Sequence, residues 1–283
     1  MKQITIISGK GGTGKTTITA ALAAIAKNKV MADCDVDAAD LHLLIKPTIL
    51  VKESFVAGKS IQIDQSICTQ CGYCKEICKF QAIDRNYKID PIACEGCAAC
   101  YFNCPAKAIS LKDNIAGEYY ISDTAYGKMV HAKLNAAEDN SGKLVAKVRE
   151  EAKKQAKEQN ADHIIIDGPP GIGCPVNASV TGVDLVLIIT EPTLSGIHDL
   201  ERVLKLTKHF KIPAKVVINK FDINLENTER IEAICKKASI DCIEKIPYLE
   251  VVVEALVNEK TIIDFKPDNK ISIAIKKIWE NIK

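Results

Sequence analysis

Two short patterns in this 283-residue sequence carry chemistry before anything is known of its fold. The first is cysteine in a repeated rhythm: CTQCGYCKEIC supplies Cys68, Cys71, Cys74 and Cys78, and CEGCAACYFNCP supplies Cys94, Cys97, Cys100 and Cys104. Each is a C-x2-C-x2-C-x3-C run. Thiolates three residues apart in a tight loop can grip three irons of one cubane, while the more distant fourth cysteine completes the neighbouring cubane. That connectivity assigns Cys68, Cys71, Cys74 and Cys104 to one [4Fe–4S] cluster, and Cys78, Cys94, Cys97 and Cys100 to another. The alternative is a pair of zinc knuckles, since C-x2-C also suits tetrahedral zinc, but two identical four-cysteine runs favour iron and sulfur.

The second pattern is ISGKGGTGKTT, starting at Ile7. It satisfies G-x-x-x-x-G-K-[ST] with Gly9, Gly14, Lys15 and Thr16, a loop whose backbone N–H groups wrap phosphates while one lysine reaches the β/γ oxygens. Gly11, Gly12, Thr13 and Thr17 belong to the same phosphate-binding stretch. Thr16 should place its hydroxyl on Mg²⁺, and Asp167, ending the apolar run IIIDG, is the carboxylate to hold that ion through water. Lys10 is surplus to this mechanism. Asp33, Asp35 and Asp37 cluster after the second strand, where a carboxylate can orient an attacking water. Asp37 and Asp40 are expected to cap the helix AADLHLLI.

The elements that must position these residues are legible in the hydrophobic pattern. Residues 4–7 read as a strand, followed by a glycine turn, an alanine-rich helix over 17–27 and a second strand over 30–35. The runs 163–168, 184–190 and 215–220 are short and continuously apolar, as strands covered on both faces should be. Amphipathic segments lie near 197–209 and 225–238. This alternation predicts an α/β fold of the P-loop NTPase type, a doubly wound, mostly parallel sheet with ligands at the carboxyl ends of its strands. From about 61 to 111 the cysteines leave no room for a long helix, which marks an inserted small α+β domain. The expected division is 1–58 and 114–283 for the parent domain and 59–113 for the insert. Residues 118–123 and 128–134 alternate weakly, like an antiparallel pair, and 141–158 reads as a charged helix with Leu144, Val145, Val148 and Ala152 on one side.

GKGGTGKTT, the carboxylate cluster DCDVDAAD and IIIDGPPG together resemble the MinD/ParA family of deviant-P-loop ATPases, over nearly all the chain outside the insert. The insert itself resembles a two-cluster bacterial ferredoxin; Pro105 follows Cys104 as that pattern asks, but Lys79 follows Cys78. The family resemblance implies ATP and Mg²⁺ as ligands, ATP hydrolysis, and a homodimer in the ATP state. It gives Lys10 a role across the two-fold, on the partner copy's nucleotide, and Asp35 the role of orienting water, so that Lys10, Lys15 and Asp35 form the implied catalytic set. Asn219 and Pro247 match the family's adenine-contacting positions, and ITEPTLSGIHDL (189–200) its strand-turn-helix beside the nucleotide, where His198 is expected on a helix surface.

Composition sets limits on partners. Net charge is +2, which gives no global argument for nucleic acid or acidic membrane. No apolar window is long enough to span a bilayer. The chain runs from Met1 directly into an apolar strand without a signal-peptide pattern, so a cytoplasmic location is expected, where thiols serve metal ligation rather than disulfides. Of the 12 cysteines, Cys34, Cys235 and Cys242 lack ligand spacing and read as packing residues, while Cys174, in GPPGIGCPV, is a candidate for a redox role. Ile271, Ile275, Ile278, Trp279 and Ile282 share one helix face, expected to cover the sheet rather than meet a membrane. The function expected is an ATP-driven dimer switch coupled to electron delivery from two clusters to a partner redox protein. An iron–sulfur scaffold or carrier and a MinD-like spatial organiser are the alternatives.

Overall fold

The computed structural model describes every residue except 137, 139 and 140. Strand β1 (Lys2–Ser8) runs through the glycine loop into α1 (Lys15–Ile25), then β2 (Lys29–Asp33) and the short α2 (Leu41–Ile45). A long strand, β3 (Thr48–Ile63), leads to two single-turn helices, α3 (Tyr73–Ile77) and α4 (Ala99–Phe102). The chain returns through β4 (Ile109–Thr124) and β5 (Gly127–Leu134). From there strands and helices alternate: α5 (Ser141–Glu158), β6 (His163–Pro170), α6 (Cys174–Val180), β7 (Leu185–Thr190), α7 (Leu194–His209) and β8 (Ala214–Asn219). The last elements are α8 (Leu225–Ala238), β9 (Asp241–Ile246), α9 (Val251–Val257), α10 (Ile262–Phe265) and α11 (Lys270–Ile282).

The nine strands form one sheet in the order β3-β4-β5-β2-β6-β1-β7-β8-β9. Pairing is parallel from β5 through β9. The chain is therefore the α/β, mostly parallel sheet that its pattern implies. Successive side chains of a strand point to opposite faces, and β1 shows what that requires: Ile4 and Ile6 join α1 and α11 in one core, while Thr5 donates from Oγ1 to the Ser179 carbonyl of α6 on the other face. Both faces are covered, which is why β6 and β7 need continuous apolar runs. Helix α11 buries Ile271, Ile275, Ile278, Trp279 and Ile282 in the first of these cores. Among the described residues no helix is long and apolar enough to cross a membrane.

The chain divides into two compact units. One comprises Met1–Glu53, Tyr119–Lys133 and Ser141–Lys283; the other comprises Ser54–Glu118 and a short segment starting at Leu134. Strands β3 and β4 contribute residues to both. Three local expectations need correction. Strand β2 stops at Asp33, so Cys34 lies just past it, buried. Strand β4 begins at Ile109, well before 118, and turns into β5 through Ala125 and Tyr126. Asp40 sits at the N-cap of α2 but makes no side-chain cap there.

Candidate functional site

The phosphate loop wraps the carboxyl end of β1, beside β6 and β7, where parallel strands present a crevice. Gly14 fixes its shape: its φ is +85°, and a Cβ there would stand 2.5 Å from Asn219 Nδ2. That same amide donates to the Thr13 carbonyl at 2.7 Å, so Asn219 clamps the loop to the end of β8. A cavity of about 490 Å³ opens over the loop. Gly11, Gly12, Thr13, Gly14, Lys15, Thr16 and Thr17 line it, together with Asp35, Asn219 and Pro247. Its far wall is apolar, formed by Leu249, Val252 and Ile275 among others.

Lys15 is 6% exposed and survives burial because its Nζ lies 2.9 Å from Asp167 Oδ1 and 3.7 Å from Asp35 Oδ2. Burial works against its charge, but Asp167, Asp35 and Asp33 outweigh it and hold the ammonium above its ordinary pKa. Asp167 also accepts from Thr16 Oγ1 at Oδ2 and from Thr19 Oγ1 at Oδ1, both at 2.8 Å. Asp35 is pushed up to about 6 by burial, with Lys15 opposing the shift. Asp33 is raised well above the carboxylate range by burial and by Asp167. Its Oδ1 accepts from Asp35 N at 3.1 Å, while its Oδ2, like the Thr13 hydroxyl of the phosphate loop, is buried without a protein partner.

Gly9 and Lys10 are not among the residues lining the cavity. Lys10 Nζ instead pairs with Glu191 Oε1 at 2.7 Å and donates to Ser195 Oγ at 3.0 Å and Thr193 Oγ1 at 3.2 Å. Glu191 has a second lysine, Lys220, at 3.1 Å on Oε2, and Lys220 donates to the Gly12 carbonyl at 3.1 Å. Burial opposes the Glu191 charge, yet the two lysines hold its carboxyl below the ordinary value. Glu191, Lys220 and Thr19 are site residues that the sequence reading did not single out. His198 lies on the α7 surface, 69% exposed.

In the second unit the eight cysteines sort into two sets. Cys68, Cys71, Cys74 and Cys104 line one small cavity, and Cys78, Cys94, Cys97 and Cys100 line another. The single-turn helices and left-handed turns at Gln70, Gly72, Gly96 and Ala98 bend each loop around its own cavity. Gly96 is indispensable: its φ is +60°, and a Cβ would run into the Lys59 backbone of β3. Burial raises the Cys74 thiol, helped by the charges of Cys68, Cys71 and Cys104; burial likewise raises Cys100, helped by Cys94 and Cys97. Among the described residues, no three His, Cys, Asp or Glu side chains converge to hold a single metal ion. The four cysteines of each set surround a small cavity, a donor set whose chemistry fits a cubane. Cys34 and Cys235 are buried, Cys242 is half-buried, and Cys174 is exposed at the start of α6.

The family model described as the CobQ/CobB/MinD/ParA nucleotide binding domain matches residues 4–262. Protein MJ0578 of Methanocaldococcus jannaschii is 34% identical over 286 residues, covering 99% of this chain and 96% of the relative. The septum site-determining protein MinD complexed with Mg-ADP from Pyrococcus horikoshii OT3 aligns over 100% of this chain and 96% of its own, with a TM-score of 0.61 at 18% identity, a likeness of fold. A 50-residue stretch, 18% of this chain, is 36% identical to pyruvate synthase subunit PorD of Methanothermobacter marburgensis, covering 62% of that subunit.

Proposed function

This chain belongs to the CobQ/CobB/MinD/ParA nucleotide-binding family, and from that premise we propose that it is an ATP-hydrolysing iron–sulfur protein that couples nucleotide-driven pairing of two copies to electron transfer. The observation that carries this reading is the sorting of eight cysteines into two separate sets in a chain that also bears a charged phosphate loop. The relatives add support from both sides: a MinD carries Mg-ADP, and a PorD subunit shares a stretch of sequence.

The residues divide the work. Lys15 would exchange Asp167 and Asp35 for the β/γ oxygens of the nucleotide, and Thr16 directly, with Asp167 through water, would hold Mg²⁺. Asp35 takes the proton of the attacking water; a carboxyl raised to about 6 is closer to a working general base than an ordinary one. Asn219 and Pro247, both lining the cavity, are the proposed adenine contacts. Lys10 lies outside its own cavity, which suits delivery of its charge to the nucleotide of a second copy. When bound, each [4Fe–4S] cluster stores one electron for a partner redox protein. The two cysteine sets share no ligand, which weighs against easy release and so against a cluster carrier. Spatial organisation, as in MinD, is the second reading because of the fold likeness, but α11 buries the apolar face that a membrane anchor would need. The protein is read as working in the cytoplasm.

The test is an anaerobic, EPR-monitored redox titration of the full chain without nucleotide, with MgADP, and with a non-hydrolysable MgATP analogue. A nucleotide-dependent shift of about 59 mV corresponds to tenfold coupling for a one-electron centre, and linkage then requires the redox state to change nucleotide affinity equally. Superimposable titrations would sink the coupled reading.

A further inference from the structure

The two halves of the cysteine unit repeat one another, and the repeat serves as an internal control. Aligning the runs sets Thr69 against Glu95, Ala106 against Phe80, Ala108 against Ala82 and Ile109 against Ile83. Every one of these residues lines the cavity of its own set. Two differences therefore stand at matched positions, Thr69 against Glu95 and Ala106 against Phe80. Around Cys68, Cys71, Cys74 and Cys104 the wall is also mostly apolar, with Ile63, Pro105 and Ile109, but it includes the hydroxyl residues Thr69 and Tyr87, the latter donating to the Gln70 carbonyl at 2.6 Å, and no carboxylate. Around Cys78, Cys94, Cys97 and Cys100 the wall is apolar, with Phe80, Ile61 and Ile89, except for the single carboxylate of Glu95.

Both differences act in one direction. Reduction adds negative charge, which a low-dielectric wall solvates poorly and a neighbouring carboxylate repels, so each lowers the reduction potential. Neutral hydroxyl dipoles carry no such penalty. The lysines do not reverse this direction: Lys75 follows Cys74 in one set and Lys79 follows Cys78 in the other, while Lys107, three residues after Cys104, stands against the uncharged Gln81.

We infer that the two sets are unequal electron stores: the centre held by Cys68, Cys71, Cys74 and Cys104 is reduced first, and Glu95 keeps the centre held by Cys78, Cys94, Cys97 and Cys100 the stronger reductant. This rests on the cluster reading proposed above. An acceptor able to draw from either centre gains most driving force at the second, which gives the unit a direction.

The experiment uses the full reconstituted chain, titrated anaerobically with dithionite as the one-electron source and followed by NMR of the hyperfine-shifted cysteine β-CH₂ protons, which reads the two sets separately. The wild type should show the Cys68 set reduced first. Glu95→Gln should narrow the gap by at least a threefold change in the electron-sharing equilibrium, about 28 mV for one electron. Thr69→Glu, placing the carboxylate at the matched position, should narrow it from the other side. Reduction of the Cys78 set first, or a gap that neither substitution moves, overturns the inference. Fewer than eight irons per chain overturns the cluster reading itself and this inference with it, so the two failures are told apart.

Discussion

Asp167 gathers Thr16 and Thr19 from 151 and 148 positions away in the chain and pairs with Lys15 beside them, whereas Cys68, Cys71 and Cys74 reach their common cavity from one short loop. The first arrangement depends on β1 and β6 lying side by side in register, with charge balanced inside the sheet. The second depends on turns and a single helical turn of its own segment. The nucleotide region should therefore fail when a buried charge loses its partner, and the cysteine region when a ligand or a turn is lost, each with little effect on the folding of the other.

The largest effect expected is from Asp167→Ala, which leaves Lys15 buried without its closest counter-ion. Stability of the parent unit should fall by about 3–5 kcal/mol, read by urea unfolding through the fluorescence of Trp279, the one tryptophan. Iron content should stay at the wild-type level; a parallel loss of iron would break the comparison. Next, Cys104→Ser should remove the iron of one set, about half the total, while leaving the urea-unfolding midpoint of the parent unit, read at Trp279, unchanged, checked by iron analysis alongside the unfolding curve.

A third expectation concerns pH. His131 on β5 accepts or donates to Ser122 Oγ at 3.0 Å and stacks on Tyr120, and burial, aided by the His42 charge, pushes it down to about 4 from an ordinary value of 6.5. Between those values the unfolded chain binds a proton that the folded one refuses, so this group's stability is present above about 6.5 and is lost as pH falls through the window. Asp35, raised to about 6, works in the opposite sense, gaining stability as pH falls. The informative quantity is thus the difference between wild type and His131→Gln, which should change by up to about 3 kcal/mol between pH 4 and 7. The smallest effect is from Thr193→Ala, which removes the cap on the Gly196 N–H at the start of α7 and one contact of Lys10. It should cost about 1 kcal/mol by thermal unfolding, with iron content untouched.

What the sequence disclosed follows the same division. The phosphate loop was legible because its residue types, strand before and helix after are all local, and Asp167 because an acidic residue ends an apolar run. Glu191 was not, since its role exists only when Lys10 and Lys220 converge on it from distant parts of the chain. Thr19 was within reach, lying three residues past Thr16 on the same helix face. Strand β3 escaped because most of its residues are exposed, leaving no alternation for a pattern to register. The Asp40 cap was predicted from residue type, but at the start of α2 only the Asp40 carbonyl is engaged, accepting from Leu43 N, and its side chain caps nothing.

Strands β3 and β4 are neighbours in the sheet, and Lys59 and Asp113, on the outgoing and returning strands, form an ion pair at 2.5 Å. Both residues belong to the second unit, so this pair ties together the two strands on which the cysteine segment begins and ends. In topological terms that segment is a closed excursion: lengthening or shortening it between those two residues leaves the order of the remaining strands unchanged.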